Sequence, residues 1–167
     1  MELREIQRPL KQGYRDDPSS ARITLTARGS QTDAPVSCSV DIGRAIYEAQ
    51  AHAGVGGPGT AACSGDLLLG ALAACAQVTC QMVVTAMGLD VERIEAVAEG
   101  DLDLRGTLGI DRARVGFESI RLRLEIDAPG ATQEQLDSLR RKTERYCVVL
   151  QTLREPPVVE LSWARPS

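Results

Sequence analysis

The sequence predicts an α+β fold in which an antiparallel sheet packs around a long buried helix. Three observations carry that expectation. Residues 67–89 contain no charge, and a helix apolar nearly all round in a globular chain is a central, buried one. Residues 119–126 alternate strictly between apolar and polar, the period of a half-buried strand. The order hairpin, helix, strands, helix, strand segregates helices from an antiparallel sheet.

A chain of 167 residues favours one domain, spanning 1–167. It has an N-terminal hairpin lobe to about residue 60, and a central helix with a C-terminal α/β lobe from about residue 61. With 43% hydrophobic and 25% charged residues it has ordinary globular composition. One Phe, one Trp and three Tyr leave an aliphatic core.

The N-terminal third reads as extended. Arg22 to Arg28 and Val36 to Ile42 alternate with β-branched residues, and the polar turn between them makes a hairpin. Arg44 to Ala53 looks like a short helix, which the glycine-rich run Gly54 to Gly59 breaks. Ser64 suits the N-cap of the central helix, Asp66 its first turn and Gly88 its C-cap. Arg93 to Asp103 and Glu118 to Asp127 alternate as strands, the second with Ile120, Leu122, Leu124 and Ile126 on one face. Thr132 and Gln135 form a capping box for a helix running through Leu136, Leu139 and Thr143 towards Cys147. After Pro156 and Pro157, Val158 to Trp163 reads as a last short strand.

Several function classes fall away. A net charge of −4 argues against a nucleic-acid surface, which needs clustered Lys and Arg. The densest basic stretch, Arg140 to Arg145, carries acidic neighbours Asp137 and Glu144, as a solvated helix face does. The uncharged run is interrupted by Gln77, Thr79, Gln81 and Thr85 and has acidic flanks, so no membrane span is expected. Residues 1–14 lack the apolar core of an export signal. Gly54 to Gly59 lacks the strand and helix context of a phosphate loop. His52 is the only histidine, so no metal site built on paired histidines exists.

Five cysteines, Cys38, Cys63, Cys75, Cys80 and Cys147, match no zinc or disulfide spacing. They read as free thiols in a reducing cytoplasm. Cys75 stands out because Ala71, Ala73, Ala74 and Ala76 surround it in sequence and leave free volume beside the sulfur. Cys147 closes the other long helix. A peroxidase needs a reactive thiolate and a second thiol to trap the sulfenic acid. Cys80, five residues after Cys75 and about 140° round the helix, reads as core.

The stretch from Ser64 through Cys75 to Thr79 resembles the central-helix motif of the OsmC/Ohr family, and Arg145 to Leu153 resembles that family's second-cysteine motif. Gly57 to Thr60 is similar to the loop before the helix in the Ohr branch. The resemblance implies an OsmC-like, intertwined homodimer that reduces organic hydroperoxides without a cofactor. An external dithiol reductant, of lipoyl type, would restore it. Cys75 would be peroxidatic, Cys147 resolving and Asp66 the acidic partner, with Arg28 as the activating guanidinium and Arg22 as the alternative.

Cys75 sits about three turns into its helix, where its own helix dipole contributes little, so a guanidinium must favour the thiolate. Asp66 lies about 180° round the helix from Cys75 and should act in the partner chain's site. Two departures stand out. Val148 follows the second cysteine where the family has Pro, so the helix need not break there. Asp66 stands where the family has Glu. They motivate an alternative, an inactive relative that binds a small apolar ligand at the dimer interface.

Overall fold

The structure, a computed structural model, describes residues 3–31, 38–41, 49–59, 62–163 and 165, with side chains described for residues 8–24, 51–59, 62–163 and 165. In chain order it contains α1 (Leu3–Asp16), β1 (Arg22–Gln31), β2 (Cys38–Asp41), β3 (Ala49–Gln50), β4 (Ala62–Cys63), α2 (Ser64–Met87), β5 (Arg93–Asp103), α3 (Leu104–Thr107), β6 (Phe117–Asp127), α4 (Gln133–Tyr146) and α5 (Val148–Arg154). The main sheet is antiparallel with order β2-β1-β5-β6. A short parallel pair, β3 with β4, leads into α2.

α2 lies against one face of this sheet. Leu69, Leu72, Ala73 and Ala76 are buried with Ala96 and Ala98 of β5, and Ile120, Leu122 and Leu124 of β6 pack around them. The close approach depends on small residues at alternate β5 positions, 96, 98 and 100, which share one face of a strand. A Cβ at Gly100 would fall 2.4 Å from the Phe117 ring and 3.3 Å from Leu69. Buried Gln77 reinforces the contact by donating from Nε2 to the Ile94 carbonyl at 3.0 Å. By length and composition α2 could cross a membrane, but 56% of its most apolar window is already buried within this chain.

The expected strands β5 and β6, the β1–β2 pairing, the helix ending at Gly88 and the Thr132–Gln135 box all appear. Gln135 N–H donates to Thr132 Oγ1 at 3.2 Å and Thr132 N–H to Gln135 Oε1 at 2.8 Å. Gly88 takes the left-handed conformation, φ 62°, that favours glycine.

Four expectations are corrected. Residues 3–16 form a helix and not an extended segment, because Leu3, Ile6, Leu10 and Tyr14 recur at helical spacing. Leu10 and Tyr14 pack on Val55, Leu104 and Ile110, and the Tyr14 hydroxyl donates to the Gly54 carbonyl at 2.5 Å. Of the helix expected over 44–53, residues 44–48 lie outside the described ones. Ala49–Gln50 is a strand, and Ala53–Val55 a single 3-10 turn that His52 caps by accepting from Gly54 N–H at 3.0 Å. The turn is tight enough that a Cβ at Gly57 would lie 1.7 Å from the Ala51 carbonyl oxygen.

Cys63, not Ser64, is the N-cap of α2, since the backbone is already helical at Ser64. Finally, Val158 to Trp163 forms no strand and is exposed. An alternating pattern makes a strand only where a neighbouring edge pairs with it, and none does among the described residues.

Leu72 is 1% exposed between α2 and the sheet. Leu72→Ala is expected to lower the unfolding free energy by about 2–5 kcal/mol, read from urea unfolding followed by circular dichroism.

Candidate functional site

Two elements far apart in sequence bring two cysteines together. Cys75 is half-buried in the middle of α2. Cys147 is fully buried at the corner where α4 ends and α5 begins. Its backbone, at φ −72° and ψ 102°, is extended, which stops α4 and lets the chain restart as α5. The sequence expectation that the helix need not break without Pro is therefore corrected. Val148, 70% exposed, opens α5 where Pro would, and the extended Cys147 backbone makes the break. Cys147 N–H still bonds back to the Thr143 carbonyl at 3.0 Å, and its own carbonyl accepts from Gln151 N–H at 2.9 Å. The corner keeps its backbone bonds.

At this corner the first turn of α5 points at α2. Val149 N–H donates to Cys75 Sγ at 3.5 Å, and Thr79 Oγ1 lies 4.0 Å from the same sulfur. Cys75 is too deep in α2 for its own helix N-terminus to help. The N-terminus of α5 supplies what α2 cannot, an N–H donor at the end of a helix whose partial positive charge favours an anion.

Cys147 lies in the buried cluster against which Cys75 packs. Burial, with the hydrogen bond and the charge of Cys75 adding to it, pushes the Cys147 thiol up to about 11, so Cys147 stays protonated at neutral pH. The pair thus joins a sulfur that receives a backbone N–H to one that keeps its proton.

The remaining expected residues fall elsewhere. Asp66 accepts from Cys63 N–H at 2.8 Å and so closes the start of α2. Nine residues separate it from Cys75, about 14 Å of helix rise, and the two are not together within one chain. Arg28 stands on β1 opposite Val97 and Asp41, with its side chain outside the described residues. Arg22 pairs at the surface with Glu118 at 3.7 Å, and its side chain is 62% exposed. Among the described residues the hydrogen-bond partners of the Cys75 sulfur are Val149 and Thr79, with no guanidinium.

Cys80 is fully buried with Val83, Ile94 and Leu139, and Cys63 is buried beneath the start of α2. Burial raises both thiols above the ordinary value. Cys38 lies on β2, its side chain outside the described residues. No group of three His, Cys, Asp or Glu side chains among the described residues could hold a metal ion.

A groove of about 1140 Å³ opens between β6, α2, α4 and α5, lined by Leu72, Leu122, Leu150, Leu153 and Cys147 among others, but not by Cys75. Sequence reasoning missed Val149 entirely, because a backbone N–H has no sequence signal. The four-residue spacing from Cys75 to Thr79 could have flagged Thr79.

The family model described as OsmC-like protein matches residues 57–162. Among solved structures, an osmc-like hydroperoxide resistance protein from Jannaschia sp. CCS1 superposes with a TM-score of 0.58 at 12% identity. That match covers 83% of this chain and 91% of the other. An organic hydroperoxide resistance protein, OsmC, from Legionella pneumophila gives a TM-score of 0.51 at 18% identity, over 79% and 89% of the two chains. No curated protein matches the chain.

A thiol with a raised native pKa stabilises the fold at low pH and loses that contribution as pH rises through the native value. Unfolding free energy is therefore expected to fall between pH 9.0, the ordinary thiol value, and about 11. Denaturant titrations across that range should show a shallower fall in Cys147→Ala.

Proposed function

The chain belongs to the OsmC-like family, and on that premise we propose that it is a cysteine-dependent peroxidase acting on organic hydroperoxides. The observation that carries the reading is the packing of Cys75 with Cys147 beside the first turn of α5, whose Val149 N–H donates to the Cys75 sulfur. The names of the two structural relatives, both hydroperoxide resistance proteins, agree with it.

In this scheme the Cys75 thiolate attacks the terminal oxygen of ROOH. The O–O bond breaks, ROH leaves with a proton, and Cys75 becomes a sulfenic acid. Cys147 then attacks the Cys75 sulfur, its proton leaves with the hydroxyl as water, and a disulfide forms. An external dithiol of lipoyl type reduces the disulfide by two successive exchanges and is itself oxidised to a disulfide.

Val149 N–H supports the anionic sulfur, and Arg28 is the guanidinium assigned to it, with Arg22 the alternative. Asp66 acts by orienting that arginine across the interface of a homodimer. The exposure of Leu67, Leu68 and Met82 on α2, at 37%, 39% and 55%, supports association of two copies. Neither cofactor nor metal enters the scheme, and a reducing cytoplasm suits its free thiols.

The groove beside Cys147 favours a second reading, a catalytically inactive relative that binds a small apolar ligand at the dimer interface. The two readings separate on thiol content. One equivalent of cumene hydroperoxide should remove about two thiols per chain. Cys75→Ser should abolish the loss, and Cys147→Ser should leave a sulfenic acid that dimedone traps. Unchanged thiols in the unaltered protein would exclude the peroxidase and leave the binding reading.

A further inference from the structure

Two threonines stand inside α2, and they bond differently. Thr85 Oγ1 donates to the Gln81 carbonyl one turn back at 2.9 Å, the usual partner of a threonine inside a helix. Thr79 also reaches one turn back, but its Oγ1 lies against a side chain, the Cys75 sulfur at 4.0 Å. Among the described residues that sulfur is the one partner of the Thr79 hydroxyl. Thr79 is only 9% exposed, and a buried hydroxyl with a poor partner is costly.

The length of the contact is that of a neutral pair, since a thiol is a weak donor and a weak acceptor. Loss of the Cys75 proton changes this. A bond to an anion is shorter and about twice as strong as a neutral one. Thr79 therefore binds the ionised sulfur more tightly than the neutral one, which favours ionisation.

The surroundings leave that task to few groups. Val149 N–H reaches the sulfur at 3.5 Å from the first turn of α5, and Thr79 reaches it from within α2. The titratable neighbour is Cys147, in the cluster Cys75 packs against, and it stays protonated. No charged side chain among the described residues bonds to the sulfur. Cys75 itself is half-buried, so two donors hold the sulfur while part of it stays open to a peroxide.

We infer that Thr79 is a catalytic residue, whose hydroxyl donates to the Cys75 thiolate and holds it for attack. The inference deepens the peroxidase reading and rests on it. The sulfur's electron pair forms the new S–O bond as the O–O bond breaks. The pair of the broken bond leaves on the alkoxide, which takes a proton from water, and Cys75 becomes the sulfenic acid. Thr79 keeps its own proton throughout.

Three variants test this. Thr79→Val keeps the side-chain shape without the hydroxyl, Thr79→Ala adds no atom, and Thr79→Ser keeps the hydroxyl. Iodoacetamide labelling of Cys75 across pH, quantified on its own peptide by mass spectrometry, reads ionisation without any peroxide. The pH–rate profile should move upward by about one unit in Thr79→Val and Thr79→Ala and return in Thr79→Ser. Sulfenic acid formation with cumene hydroperoxide at neutral pH should slow roughly tenfold in the first two. Unmoved profiles in both, or a Thr79→Ser profile as displaced as that of Thr79→Val, overturn the inference. Hydroperoxide consumption at the unaltered rate in Thr79→Val counts against Thr79 alone. A moved profile in a chain whose Cys75 is inert to hydroperoxide counts against the peroxidase, with the bond from Thr79 to the thiolate upheld.

Discussion

The close seating of α2 on β5 is the constraint on which the rest of the structure depends. Ala96, Ala98 and Gly100 present almost no side chain to the helix, and Ala73 and Ala76 answer them from α2. Interiors pack to crystal-like density, so small residues on both sides translate directly into a short distance between helix and sheet. The larger side chains are displaced to the flanks. Leu69 and Leu72 lie beside the seam, and Ile120, Leu122 and Leu124 of β6 close over it. Gln77 adds a directional bond to the Ile94 carbonyl.

That seating sets which part of α2 is left for chemistry. Cys75 is beside the seam and only partly covered, and α4 and α5 finish its surroundings. The corner between them is economical. Cys147 terminates one helix, begins the next and sits in the cluster Cys75 packs against, while the Val149 N–H just after it reaches the Cys75 sulfur. Cys147 is buried and stays protonated, and Cys75 accepts the Val149 N–H.

Much of this was legible beforehand, and the reason lies in how local each signal is. The uncharged run, the alternation from Ile120 to Ile126 and the Thr132–Gln135 box are patterns within single elements, and each reappears with nearly the expected bounds. The failures share a different cause. α1 was overlooked because its stripe is short and carries Pro9 within it. The first turn of α2 moved by one residue because an extended backbone at Cys63, closed by the Asp66 carboxylate, served as the cap without a hydroxyl. Val158 to Trp163 has a strand's pattern but pairs with no strand among the described residues, and pattern alone does not supply a partner.

By itself the sequence determined the central helix, the two long strands and the helix behind the Thr132–Gln135 box, which of their faces are apolar, and the family its motifs resemble. Periodicity and capping act over a few residues, and the resemblance to known motifs is written in the same short stretches. Only the tertiary structure decided that Cys75 meets Cys147, that Val149 supplies a backbone donor, and that Asp66 closes a helix start away from the thiols. Those outcomes depend on contacts across some 70 residues and on a backbone angle at one corner. Backbone N–H groups are the same in every residue but proline, so their use as site residues is invisible until the chain is folded.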